Sequence, residues 1–107
     1  MAKPLIFLAG EIRTPPMSRA VRRKTGYLLR RLQQGEDLEM PDSRPMPDIG
    51  RRCHELRISD DRETWRVIYR LDEDALLIIE TFKKKTQKTP TEVLRLCRKR
   101  LSTYDRL

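Results

Sequence analysis

Three strand-like runs follow one another with almost no chain between them. They are "CHELRI" at residues 53–58, "TWRVIYRL" at 64–71 and "ALLIIETF" at 75–82. Each is rich in β-branched, aromatic and aliphatic residues. Only "SDDRE" and "DED" separate them, and both have turn composition. Links this short cannot carry a crossover helix, so the runs are expected to form an antiparallel meander.

Helical periodicity brackets this meander. Met17, Val21, Thr25, Leu28 and Leu32 recur at helical spacing, with Leu29 beside them. Ser18 is placed to cap this helix, which runs to about Gln34, and Gly35 is suited to end it. A closing helix is expected in "TPTEVLRLCRKRLSTY". Thr89, Pro90 and Glu92 form a capping-box pattern there, with proline at the first helical position. Val93 or Leu94, Cys97, Leu101 and Tyr104 supply its apolar stripe. Ahead of both helices, "LIFLAGEI" at residues 5–12 reads as a short strand. Residues 36–51 hold three prolines and no period, and read as a long loop with a possible short helix around residues 36–40. The expected class is α+β, with helices packed on a mainly antiparallel four-stranded sheet in the order β-α-β-β-β-α, and one domain over residues 1–107.

Charge narrows the function. The chain of 107 residues carries a net charge of +8, a balance that favours nucleic acid or another acidic surface. The charge is segregated. Residues 1–34 carry net +7, residues 35–82 net −6, and residues 83–107 net +7. Cys53 and Cys97 form no CxxC pair and there is a single histidine, so no metal or redox motif is present and no cofactor is expected. Two lone cysteines fit reduced, partly buried thiols in a cytoplasmic protein, with a single disulfide as the alternative. "PLIFLAG" is too short to span a bilayer, so no membrane partner is expected.

Alternation along the meander sorts its side chains. Glu55 and Arg57 share a face with Cys53, and Arg66 and Arg70 share a face with Ile68. The simplest sheet packs one face on helices and leaves the other open. The open face then presents Glu55, Arg57, Arg66 and Arg70, with the lysine run "KKKTQK" at its edge. That run is anchored by a strand on one side and a helix start on the other, unlike a tail.

Such a face suits RNA. Cleavage without a metal needs the 2′-hydroxyl deprotonated, the leaving 5′ oxygen protonated and the charge on phosphorus stabilised. Fixed guanidiniums supply the last requirement. Glu55 is a candidate base by position, and equally a member of an ion pair. His54 lies with Leu56 and Ile58 and reads as a core or edge histidine. Trp65 and Tyr69 share the apolar side with Val67 and read as core rather than as base-stacking residues.

"HELRI…TWRVIYRLDEDALLIIETFKKKTQKTP" resembles the RelE/HigB superfamily of type II toxins, and more closely its phage-derived HigB-like branch. The resemblance covers most of the chain, and it is the combination of "WRVIYR" with "KKTQKTP" that is specific. It implies a ribosome-dependent mRNA endoribonuclease neutralised by a cognate helix-turn-helix antitoxin, with the ribosome and mRNA as the other partners. The positions matching the family's phosphate-contacting residues are Arg57, Arg66, and Lys84 or Lys85. Where such toxins often carry a basic residue two positions before the first of these, this chain has Glu55. Lys83, Lys88, Arg70, Arg22 and Arg23 are expected to extend the RNA-binding surface. The same superfamily includes ParE-like gyrase inhibitors, so a non-catalytic inhibitor is the second reading, and an inactive RNA-binding module the third.

Overall fold

The computed structural model describes residues 2–9, 16–85 and 88–107. The meander is present: β3 (Cys53–Ser59), β4 (Thr64–Leu71) and β5 (Leu76–Lys83) pair antiparallel in sequence order. Two short strands extend it, so the sheet has five strands and not four. β1 (Leu5–Phe7) lies parallel to β5 at one edge, and β2 (Ser43–Pro45) lies antiparallel to β3 at the other. The order across the sheet is β1-β5-β4-β3-β2, which makes it mixed.

β2 falls inside the segment expected to be a loop, and no helix forms around residues 36–40. Three residues, "SRP", are too few to show alternation, and proline argues against a strand. An edge position removes the objection, because the outer side of the strand has no ladder partner to satisfy. The expected first strand is also shorter than its apolar run, and residues 10–12 of that expectation lie outside the described residues.

One irregularity resets the two faces of β5. Tyr69 faces Ile78 while Ile68 faces Glu80, so Ile79 is an extra residue in β5, a bulge. Ile79 and Glu80 consequently point to the same side: Ile79 joins the apolar cluster under the second helix, and Glu80 pairs with Arg100 of that helix at 3.3 Å. Every later residue of β5 has its face reversed relative to a regular strand.

The first helix, α1 (Arg19–Gln33), forms as expected. The Ser18 side chain accepts from the Val21 N–H at 3.1 Å, and Gly35 takes φ +92°, the left-handed turn that glycine permits after a helix. The start is further fixed by the β3–β4 turn: the Ser18 N–H donates to Glu63 at 2.8 Å and its hydroxyl to Asp60 at 2.8 Å. α1 buries Val21, Leu28, Leu29 and Leu32 against Leu56, Ile58, Trp65, Val67, Tyr69 and Ile78 on one face of the sheet. Each such side chain contributes on the order of 1.5–3 kcal/mol of transfer free energy.

The other face is not open along its whole length. The second helix, α2 (Thr91–Asp105), covers part of it, packing Cys97 and Leu101 on Cys53, Ile68, Leu77 and Ile79. Only the end of the face near the β3–β4 turn is left uncovered by this cluster. Both cysteines are buried and free. The capping box expected for α2 does not form. Pro90 is the cap residue and not the first helical one, so the helix starts one residue later than expected, with no side-chain cap bond, and the Thr89 hydroxyl is used elsewhere.

Candidate active site

The uncovered end of the sheet concentrates charge. Register sets Arg57 of β3 directly opposite Arg66 of β4, and Arg44 of β2 directly opposite Glu55 of β3. Two guanidiniums at facing positions repel unless a negative charge lies between them. Glu55, 1% exposed, offsets that repulsion from the Arg66 side. One carboxylate oxygen accepts from Arg44 Nη2 at 3.2 Å and lies 3.4 Å from Arg66 Nε. The other accepts from the Thr89 hydroxyl at 2.6 Å. Glu55 is therefore engaged on both oxygens beneath the surface, holding arginines, and is poorly placed to take a proton from a substrate.

Arg66 is itself 4% exposed. Its Nη1 donates to the Trp65 carbonyl at 3.1 Å, while its buried Nε has no hydrogen-bond partner, the Glu55 contact being off line. Burial pushes the Arg66 guanidinium below its ordinary value; Glu55 opposes this, and Arg57 and Arg44 add to it. Arg57 is half-buried, with Nη1 3.4 Å from Met40 Sδ. Together Arg57 and Arg66 line a groove of about 450 Å³, shared with Lys24, Asp42, Ser59 and Thr64.

The bulge at Ile79 decides which lysine lies on the arginine side of the sheet. Lys83 lies opposite Trp65, on the α1 side, and pairs with Glu63 at 3.7 Å. Lys84 continues the ladder, its N–H donating to the Thr64 carbonyl at 2.8 Å, and falls on the arginine side. Desolvation lowers the Lys84 pKa first, the positive charges of Arg66 and Arg57 lower it further, and Glu55 partly restores it. Of the two lysines expected from sequence, Lys84 lies beside the arginines and Lys85 is exposed. Lys88 is exposed and lines a second groove of about 450 Å³ with Arg44, Met46, Thr89, Thr91 and Leu94.

Other expected contributors lie elsewhere. Arg70 is on the same sheet face, but α2 covers it. Its guanidinium is gripped by Asp72 at 2.7 and 2.9 Å and by Asp105 at 2.8 and 3.0 Å, so it ties α2 to the sheet and is not displayed to a ligand. Arg22 and Arg23 are exposed on α1, which packs against the opposite face. His54 stacks on Tyr69 with ring centroids 5.3 Å apart, and Tyr69 shares a 2.6 Å hydrogen bond with Ser43; both rings are structural.

Two members of the site escape a reading of the sequence. Arg44 sits in a proline-rich stretch without period, and only the pairing of β2 with β3 reveals it. Thr89 carries a helix-cap signature, and nothing in the sequence shows that its hydroxyl turns to Glu55 instead. Among the described residues no group of acidic, histidine or cysteine side chains is arranged to hold a metal ion, and no helix is long and apolar enough to cross a membrane.

A family model described as phage-derived protein Gp49-like (DUF891) matches residues 15–102. No curated protein matches the chain.

Proposed function

The chain belongs to the Gp49-like phage-derived protein family, within the RelE/HigB-like superfamily of type II toxins, and from that premise we propose that it is an mRNA endoribonuclease toxin that acts on the ribosome. Members of the family are commonly toxins of toxin–antitoxin systems. The observation that carries the finer reading is the facing pair Arg57 and Arg66, set over a buried Glu55 and beside a desolvated Lys84.

In the proposed reaction a 2′-hydroxyl gives its proton to solvent water and its oxygen bonds to the adjacent phosphorus. The bond from phosphorus to the 5′ oxygen breaks, and that oxygen takes a proton. The products are a 2′,3′-cyclic phosphate and a free 5′-hydroxyl. Arg57 and Arg66 bind the phosphate and offset the charge that grows on its oxygens, a contribution that reaches about 3–4 kcal/mol per well-placed donor. Partial burial raises the effect of each guanidinium by lowering the local dielectric. Lys84 is the proton donor to the leaving oxygen: its lowered pKa makes its ammonium a better acid than an ordinary lysine. Glu55 is a positioning residue that fixes Arg66 and Arg44 and touches no substrate. The adjoining groove at Arg44 and Lys88 suits the next stretch of a single RNA strand, because Arg44 and Thr89, both bonded to Glu55, form its wall.

The test is to induce the protein alone in growing cells and map mRNA 5′ ends. New ends with free 5′-hydroxyls, lost in Arg66→Ala, are expected. Growth arrest with intact mRNA and a DNA-damage response would overturn the assignment in favour of a gyrase inhibitor.

A further inference from the structure

The groove of Arg57 and Arg66 contains a carboxylate to which the proposed reaction gives no task. Asp42 is the one acidic residue among those that line it. It immediately precedes β2, and its backbone carbonyl accepts from the Arg57 N–H at 2.8 Å. That bond continues the β2–β3 register, in which Ser43 faces Leu56, by one residue. Asp42 therefore lies opposite Arg57, as Arg57 lies opposite Arg66. Alternation from Arg44 puts it on the arginine side of the sheet.

The row runs across the sheet in a chemically ordered way. Asp42 stands ahead of β2, Arg57 on β3 and Arg66 on β4; Lys84 follows β5 on the far side, bonded to Thr64 two residues from Arg66. With strands about 4.8 Å apart, the backbones of Asp42 and Lys84 are on the order of 14–16 Å apart, and both guanidiniums lie between them. In-line displacement at phosphorus has the same order. The attacking oxygen enters on one side, the leaving oxygen departs on the other, and charge grows between them. A phosphate held by Arg57 and Arg66 thus has a proton donor, Lys84, on one flank and a carboxylate on the other.

Glu55 is closed to proton transfer, because both its oxygens are engaged beneath the surface. Asp42 is open. Its side chain is 30% exposed, and its ion pair with Lys24 Nζ is long, at 3.9 Å. The charged groups that face it are Lys24 of α1, Arg57 of β3 and Arg66 of β4, and more weakly Arg31 of α1, which is bonded to Glu36. We propose that Asp42 is the general base of the cleavage, acting through one solvent water. The water takes the proton of the 2′-hydroxyl and passes one of its own to an Asp42 carboxylate oxygen, while the 2′ oxygen bonds to phosphorus. Lys84 protonates the leaving 5′ oxygen, and both groups exchange protons with solvent after the products leave. The assignment of Asp42 rests on the cleavage reading and supplies its proton acceptor.

The test compares wild type, D42N, D42E and K24A in single-turnover cleavage of mRNA on translating ribosomes over a range of pH. Thermal melts verify folding, with D42S replacing D42N if the latter does not fold. Binding is read separately, by fluorescence anisotropy with a labelled 2′-O-methyl oligouridylate that cannot be cleaved. D42N should cleave about 10²–10⁴-fold more slowly, the usual worth of a general base. It should bind the uncleavable strand at least as tightly as wild type, since a charge that repels phosphate has been removed. A base is lost as pH falls, so the acidic limb of the wild-type rate profile should be absent from D42N and present in D42E. Equal cleavage by wild type and D42N would overturn the assignment of Asp42 and leave the cleavage reading standing. Loss of the acidic limb in K24A as in D42N would overturn it too, making Asp42 an anchor for Lys24. Intact mRNA with wild type would overturn the cleavage reading itself.

Discussion

The Thr89 hydroxyl donates to the Glu55 carboxylate at 2.6 Å, joining the start of α2 to the middle of β3. The bond closes the set of donors around a carboxylate with almost no access to water. Thr89→Val keeps the side-chain shape and removes the donor, leaving one buried oxygen unpaired at a cost of about 1–3 kcal/mol. A lower melting temperature and weaker mRNA cleavage are expected, with both restored in Thr89→Ser. If the valine variant melts and cleaves like wild type, Thr89 is not a positioning residue.

Arg66 is buried as well as charged, so it has two roles that one substitution cannot separate. Arg66→Ala is expected to abolish cleavage. It also destabilises, contrary to what an open sheet face would imply, because Glu55 then loses one of its charge partners. Removing one member of a buried pair typically costs about 3–5 kcal/mol, and the figure is smaller here because Arg44 and Thr89 remain. R66A/E55Q should therefore melt higher than R66A alone while remaining inactive. A double variant less stable than the single one would show that Glu55 does not serve mainly to balance Arg66.

Lys84 and Lys85 are neighbours with different environments. Lys84→Ala should lower the cleavage rate by roughly 10²–10⁴-fold, the usual worth of a general acid. Lys85→Ala should change it by little. The pH profile supplies a second readout. A donating ammonium is lost as pH rises through its pKa, and the Lys84 pKa is lowered, so activity should fall on the alkaline side earlier than an ordinary lysine allows. In Lys84→Arg that alkaline limb should move up or disappear. An unchanged limb would remove Lys84 from proton transfer.

Arg70 bonded to Asp105 makes α2 sensitive to acid. The guanidinium holds the Asp105 carboxyl below its ordinary 3.8. A depressed carboxyl contributes stability that is present above its unfolded value and lost as pH falls through the folded one. Asp105→Asn should lower the melting temperature by a few degrees at pH 7, an effect on the order expected for an exposed charge pair. The difference between variant and wild type should shrink below about pH 4. A difference that persists undiminished at low pH would mean the aspartate acts through packing and not charge.

The two thiols should be inert in the folded protein. Burial pushes the Cys97 thiol up to about 12, and burial also raises Cys53. Thiolate, the reactive form, is scarce at such values. Titration with a disulfide reagent at pH 8 should detect neither thiol until the protein is unfolded. Rapid modification of the native protein would place Cys53 or Cys97 outside the core.

Much of the architecture is legible in the residues because it is local. The meander follows from alternation and short turns, and α1 from a capped apolar stripe. What escapes is set by pairing across the sheet. Arg44 becomes part of the site only because Ser43–Pro45 pairs with β3, and three residues carry no periodic signal. Lys84 joins the arginines only because Ile79 is an extra residue, since a strand counted regularly from Leu76 would have turned Lys83 inward in its place. Arg70 shares a parity with Arg66, yet the packing of α2, which alternation does not record, withdraws it from solvent. The Thr89 signature fits two hydrogen-bonding outcomes, and the nearby buried carboxylate decides between them.

The parallel edge strand has a consequence for the order in which the charge cluster is assembled. Leu5 is made well before its partner Leu76, which follows after most of the meander has been made. At typical synthesis rates the wait is roughly 4–14 s. Lys84 and Thr89 emerge later still. A growing chain therefore carries neither a closed sheet nor an assembled charge cluster until the last third of the sequence has been made.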